Sequence, residues 1–271
     1  MGAVPWGVRR FRGGTWEAVE DVVVDEVPLT LYVNGREVVT LLTLGEHPLE
    51  LAVGFLRSEG FFAARDELLG WEEEDGAVRV QLARDVTAVE RLLDKRTVTT
   101  GCGKGTTFYH ALDALRCRPV ASATRFAPEA VLKWMGELQR RSGLYRRTGG
   151  THNASLADGA RTVCFRTDIG RHNAVDMLGG WAFLNAVDLG RTALLTTGRI
   201  SSEILIKGAK MGAPLIVSRS APTALALRLA RELNVTVVGY VRNGRFNVYT
   251  HGERLGAAQA DPGALGGAGY G

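Results

Sequence analysis

Thr192-Ala-Leu-Leu-Thr-Thr-Gly198-Arg-Ile-Ser201-Ser-Glu203-Ile-Leu-Ile-Lys-Gly-Ala-Lys-Met211, followed by Gly-Ala-Pro-Leu215-Ile-Val217-Ser-Arg219-Ser-Ala-Pro222, is the stretch that decides the fold. Thr192–Leu195 and Leu215–Val217 are short, unbroken apolar runs, the pattern of strands buried on both faces. Between them Ser201–Met211 has helical periodicity. Ser201 or Ser202 stands where a cap accepts orphan N–H groups, and Glu203 sits in the first turn. Strand, helix, strand in about 25 residues is a crossover unit, and such units build sheets with helices on both faces.

The same rhythm extends outward. Downstream, Pro222–Leu233 reads as a helix, Val235–Val241 as a strand and Phe246–Thr250 as a strand after an Asn243-Gly244 turn. Upstream, Thr151–Ala157 and Thr162–Arg166 read as strands and Arg171–Leu184 as a helix. The expectation is an α/β domain over 126–255 with a mostly parallel sheet. Pro128–Arg141 opens it as an amphipathic helix, with Pro128 in the first turn. Gly143–Gly150 reads as a linker. The first half is strand-rich, so the chain as a whole is α+β, with a smaller N-terminal domain over 15–125. There Trp16–Val24, Leu29–Val33 and Glu37–Leu44 alternate as strands, the last two around Asn34-Gly35. His47–Glu59 has a helical period closed by Gly60, and Leu69–Glu74 with Val78–Leu82 forms a hairpin at Asp75-Gly76. Val86–Leu93 reads as a short helix, Met1–Gly14 as a frayed lead, and 256–271, rich in Gly and Ala, as a disordered tail.

The 271 residues carry a net charge of +4, with 45% hydrophobic and 23% charged residues. That is the composition of a globular protein with a substantial core. The basic residues are scattered, which suits an anionic ligand and gives no nucleic-acid footprint. No apolar run is long enough to span a bilayer, and the first residues lack the apolar region of a secretory signal. Three cysteines, an odd number, argue against a disulfide framework. These points together lead to the expectation of a cytoplasmic protein.

Four polar loops stand at strand ends. They contain His152 and Asn153; Asp168, Arg171 and His172; Arg199; and Ser218, Arg219 and Ser220. All but the first feed a helix N-terminus, where free N–H groups favour anions, and the three arginines add charge at that edge. Turn and cap chemistry alone also explains many of these residues. His172 reads equally as a general acid or as a ring held by hydrogen bonds. His152 is not followed by the Glu that a zinc deaminase requires, and the chain has no Cys-x-x-Cys, so no metal site is expected. A fifth stretch, Thr97-Val-Thr-Thr-Gly101-Cys102-Gly103-Lys104-Gly105, sets a cysteine between two glycines. Lys104 would favour its thiolate, the nucleophilic form. A buried, inert thiol in a tight turn fits the tripeptide as well.

Thr148-Gly-Gly-Thr-His-Asn-Ala154, Asp168-Ile-Gly-Arg-His-Asn-Ala-Val-Asp176, Gly198-Arg-Ile-Ser-Ser-Glu203 and Ser218-Arg-Ser-Ala-Pro-Thr223, in that order, are similar to the FdhD family of formate dehydrogenase accessory sulfurtransferases. The resemblance runs from about Glu26 through Tyr249. It implies a cytidine-deaminase-like, three-layer α/β/α C-terminal domain without zinc. It implies sulfur taken from a cysteine desulfurase as a persulfide on Cys102, with Gly101, Gly103 and Lys104 in support. The acceptor would be a molybdenum or tungsten bis(guanine dinucleotide) cofactor that then enters the catalytic subunit of formate dehydrogenase. The guanine-dinucleotide contact would fall on Tyr240, Val241, Arg242, Asn243, Gly244 and Arg245, with GDP-like nucleotides in the same pocket and a homodimer as the assembly. The chain departs from the family pattern at Thr99, where a first loop cysteine would stand, and at Thr167, where Glu is usual. A non-covalent cofactor chaperone, or a nucleotide-processing enzyme using His172 and Asp168, are the other readings.

Overall fold

A computed structural model describes residues 2–84, 117–159 and 161–256. The first residues form a long ribbon, β1 (Ala3–Arg12) paired antiparallel with β2 (Thr15–Val24). The lead expected to fray is therefore a strand. Its arginines and Pro5 hide the alternation, and backbone pairing with β2 supplies the order that its side chains do not advertise. A four-stranded sheet follows, from β3 (Val27–Val33), β4 (Arg36–Thr43), β5 (Leu68–Glu74) and β6 (Ala77–Leu82), in the order β4-β3-β6-β5. Asn34 and Gly35 both take left-handed backbone (φ 49° and 82°), as the tight β3–β4 turn requires. Helix α1 (Pro48–Ser58) packs Leu51, Phe55 and Leu56 against Leu29, Leu31 and Val80 of this sheet.

The second half is a six-stranded sheet. Helices α2 (Pro128–Arg141) and α3 (Gly143–Thr148) precede it. The expected linker thus carries a six-residue helix, capped by Gly149 in left-handed conformation. The strands are β7 (His152–Asp158), β8 (Arg161–Asp168), β9 (Thr192–Thr196), β10 (Leu215–Ser218), β11 (Thr236–Arg242) and β12 (Arg245–Thr250), in the order β12-β11-β10-β9-β7-β8. Only β9/β10 and β10/β11 pair in parallel; β7/β8, β7/β9 and β11/β12 are antiparallel. The sheet is mixed rather than mostly parallel, because the β7–β8 and β11–β12 connections are too short for a crossover.

Both faces are covered. Leu194 of β9, Ile216 of β10 and Val237 of β11 point to one side, against α4 (Arg171–Leu184), α5 (Ser202–Met211) and α6 (Ala224–Glu232). Leu195, Leu215, Val217 and Val238 point to the other, against Trp134, Met135 and Leu138 of α2. This is a three-layer α/β/α arrangement beside a smaller strand-rich part. Helix α4 is buried from Asn173 to Gly180, because it is packed on more than one side. Ala174 and Leu178 meet the large sheet, while Met177 joins the core beneath α1. Among the described residues no helix is long and apolar enough to cross a membrane.

Candidate functional site

The sheet topology brings the polar loops to one edge. Strands β9, β10 and β11 run in parallel, so their carboxyl ends share that edge. β7 is antiparallel to β9, with Ala154 opposite Thr196, which places its amino end there. β8 is antiparallel to β7, with Asp168 opposite His152, which returns its carboxyl end there. In α/β sheets this is where ligands bind.

Hydrogen bonds tie the loops into a belt. Asn153 N–H donates to Thr197 Oγ1 (3.1 Å), and Thr197 N–H donates back to the Asn153 carbonyl (3.0 Å). Ser218 Oγ donates to the Gly198 carbonyl (2.6 Å) and accepts from Ser220 N–H (2.9 Å). Ile200 N–H donates to the Ala221 carbonyl, and Thr223 N–H to that of Ile200. Tyr240 N–H donates to the Ser220 carbonyl (3.1 Å), which carries the belt to β11. Gly239 has no room for a side chain there: a Cβ would meet Pro222 Cδ and the Ser220 carbonyl at 3.1 Å. Helices α5 and α6 start at hydroxyl caps, with Ser201 accepting from Ile204 N–H and Thr223 from Ala226 N–H.

The charge sits at the junction of β7, α4 and α5. Arg171 passes over Gly198 so closely that a Cβ would strike its Cδ at 2.9 Å, and His152 Nδ1 lies 3.5 Å from the same point. His172 Nε2 is 2.8 Å from Glu203 Oε2. Desolvation pushes the His152 imidazolium pKa down, and the charges of Arg171 and His172 push it further, so this ring is neutral at neutral pH. Arg199 and Arg219 are exposed on the neighbouring loops. Tyr240 holds left-handed backbone (φ 55°), with the Arg242 guanidinium 5.2 Å from its ring centre. Three arginines, a neutral imidazole and three helix N-termini make this edge suited to an anionic, phosphate-bearing ligand.

Not every residue singled out in the sequence points into this edge. Asp168 is fully buried and serves the fold: Oδ2 accepts from Leu44 N–H (3.0 Å), and Oδ1 accepts from Gly170 N–H (2.9 Å) and Asn173 Nδ2 (2.8 Å). Burial lifts its carboxyl pKa to about 6, against the pull of those donors. The Ser218 hydroxyl is spent on the belt, and Val241 points into the core shared with α2. Asn153 is buried with its Nδ2 unpartnered among the described residues. Asn243, Gly244 and Arg245 form the exposed β11–β12 turn beyond the edge. Gly101, Cys102, Gly103 and Lys104 lie outside the described residues. Two contributors were missed. Glu203 was read only as a first-turn residue, and Gly239 carried the one available signal, a glycine inside an apolar strand.

Residues 24–256 match the model of the FdhD/NarQ family. Curated relatives include "Sulfur carrier protein FdhD" of Bacillus subtilis, 44% identical over 92% of this chain and 95% of that protein. The protein of the same name from Staphylococcus aureus is 42% identical over 91% and 94%. A crystal structure of a proposed formate dehydrogenase accessory protein from Desulfotalea psychrophila superposes with a TM-score of 0.78 at 25% identity, covering 93% of this chain and 99% of that one. The chain belongs to the FdhD/NarQ family.

Proposed function

We propose that this chain is a sulfur carrier for the maturation of formate dehydrogenase, with Cys102 as the carrying thiol. The thiolate attacks the outer sulfur of a desulfurase persulfide; the new S–S bond forms on Cys102 as the desulfurase thiolate leaves. A reduced, electron-pair-donating centre of a substrate held elsewhere on the protein then takes the outer sulfur, breaking the S–S bond as the Cys102 thiolate leaves. That substrate is a molybdenum or tungsten cofactor bearing two guanine dinucleotides, which the protein binds in the cytoplasm and releases to the dehydrogenase subunit. The observation that carries this reading is the belted sheet edge. Its arginines and helix N-termini suit the phosphates of a dinucleotide, in a chain whose relatives are named sulfur carriers. Cys164 is no rival carrier: it is buried in the core, and burial raises its thiol pKa to about 11.

Incubation with a cysteine desulfurase and cysteine, followed by intact-mass measurement, tests the reading. One added sulfur atom on the wild type and none on Cys102→Ser is the expected result. A Cys102→Ser variant that still takes up sulfur, or still supports formate dehydrogenase activity in cells lacking the native protein, refutes the carrier role. Retained activity without sulfur uptake would instead mark a non-covalent cofactor chaperone.

A further inference from the structure

Helices α4 and α5 meet below the site edge through two stacked pairs of side chains. α4 carries His172 in its first turn and Asp176 one turn on; α5 carries Glu203 in its first turn and Lys207 one turn on. Residues four apart share a helix face, so the pairs stand one above the other. In the upper pair His172 Nε2 lies 2.8 Å from Glu203 Oε2, and both side chains are part-exposed at the edge. In the lower pair Lys207 Nζ donates to Asp176 Oδ1 (2.6 Å), almost out of water. The Glu203 carboxylate also acts on Lys207 along α5, and that attraction is mutual.

The two members of the upper pair have opposite surroundings. The carboxylate of Glu203 has the capped N-terminus of α5 and Lys207 beside it, and both favour its charge. A proton on His172 instead faces the N-terminus of α4 and the guanidinium of Arg171, with His152 of β7 close enough to feel both. Asp176 is spent on Lys207, and Glu59, just after α1, acts on Lys207 as well. Arg199 and Arg219 add cations on the neighbouring exposed loops. Burial and those charges keep His152 neutral, so it is not the ring that gains a proton when an anion arrives. In His172, Glu203 occupies Nε2, and Nδ1 is the nitrogen that remains for a ligand.

We infer that His172 is a proton-gated contact for phosphate: its Nδ1 takes a proton as the anion arrives, and Glu203 is the positioning residue that holds the ring and balances its charge. This rests on the reading of the edge as a phosphate-binding site. The proton comes from solvent. Nδ1–H then donates to a phosphate oxygen while Nε2–H stays on Glu203, so the imidazolium lies between two anions. Binding that takes up a proton weakens as pH rises, by the linkage between ligand and proton. Arg171 and Arg219, always charged, supply the part of the affinity that pH does not move.

Calorimetric titration of the full chain with GDP, in buffers of different ionisation enthalpy, counts the protons taken up and tests this. The wild type should take up more protons per GDP than His172→Gln or Glu203→Gln, and the nucleotide's own titration cancels in that difference. Between pH 6 and pH 8 wild-type affinity should fall about tenfold more than that of either variant. His172→Gln/Glu203→Gln should lose little beyond His172→Gln alone, because Glu203 acts through the ring. Pyrophosphate should show the same difference in proton uptake, and guanosine none. Equal uptake by wild type and His172→Gln overturns the proposal, as does equal uptake by guanosine, or uptake lost in His172→Gln but kept in Glu203→Gln. If Arg171→Ala still weakens GDP binding in that case, the phosphate edge stands and only the proton gate falls. Unchanged affinity in Arg171→Ala and Arg219→Ala removes the edge and the gate together.

Discussion

Asp168 shows how one residue in a polar strand-end motif can serve the fold. Its carboxylate gathers Leu44 at the end of β4, Gly170 before α4 and Asn173 within α4, and so joins the two halves of the chain. Burial raises its pKa from 3.8 to about 6. Between those values the native state keeps a proton that the unfolded state releases, so this group's contribution to stability falls as pH rises, and is constant above. The loss is roughly 3 kcal/mol. Asp168→Asn should remove that slope, so urea midpoints of the variant and the wild type should diverge between about pH 4 and about pH 7. Parallel curves would show that another group titrates. In the proposed function Arg171 and Arg219 act on the ligand instead. Replacing either with Ala should weaken GDP binding by about tenfold, roughly 1.5 kcal/mol per charge-assisted bond, and the remaining affinity should fall with added salt. Unchanged calorimetric affinity in both variants would place the nucleotide elsewhere.

The crossing of α1 with α4 is the least visible contact in the sequence. Gly54 lies against the Asp176 carbonyl, and a Cβ there would sit at 1.8 Å; Gly180 lies against the Glu50 carbonyl, at 1.9 Å. Two helix backbones meet with nothing between them. Gly54→Ala or Gly180→Ala should cost more than about 3 kcal/mol, since backbone rather than a flexible side chain must give way. Gly136→Ala in α2, whose Cβ would meet only the end of Arg140 at 3.5 Å, should instead gain up to about 1 kcal/mol. Equal urea midpoints for all three would mean that the crossing adjusts freely. Sequence reading found α1 and α4 as helices, because the apolar period and the caps are local. Their contact was not legible, because it pairs glycines over 120 positions apart. The strand-end loops were legible for the same local reason: Ser201 and Thr223 are good caps, and four polar loops recur at strand ends. β1 was missed because Pro5, Arg9, Arg10 and Arg12 spoil its alternation, and α3 because six residues between glycines show no period. Strand direction in β7–β8 depended on connection length rather than on side chains. What Cys102 does was legible only as thiol chemistry, since its loop lies outside the described residues.

The two halves share more than one crossing. Lys207 of α5 reaches across to α1 and α4, donating to both carboxylate oxygens of Asp176 (2.6 and 2.7 Å) and to Ser58 Oγ (2.7 Å). Burial opposes its charge, but the carboxylates of Asp176, Glu59 and Glu203 together outweigh that, so its pKa is raised and the ammonium persists. Lys210 donates to the Ser58 carbonyl, Arg166 binds Glu50, and Arg65 donates to the carbonyls of Phe183 and Leu184. Neither half can leave without stranding buried charge on the other. The wild type should therefore unfold in a single transition, with calorimetric and van't Hoff enthalpies equal. Lys207→Met should cost about 3–5 kcal/mol, because Asp176 stays buried without its cation. Adding Asp176→Leu should recover part of that loss, since the stranded carboxylate is gone and only packing and the Ser58 contact remain to be replaced. A lobe that melts on its own in the wild type would sink the idea of one cooperative unit. Additive losses in the double variant would show that Lys207 and Asp176 act separately.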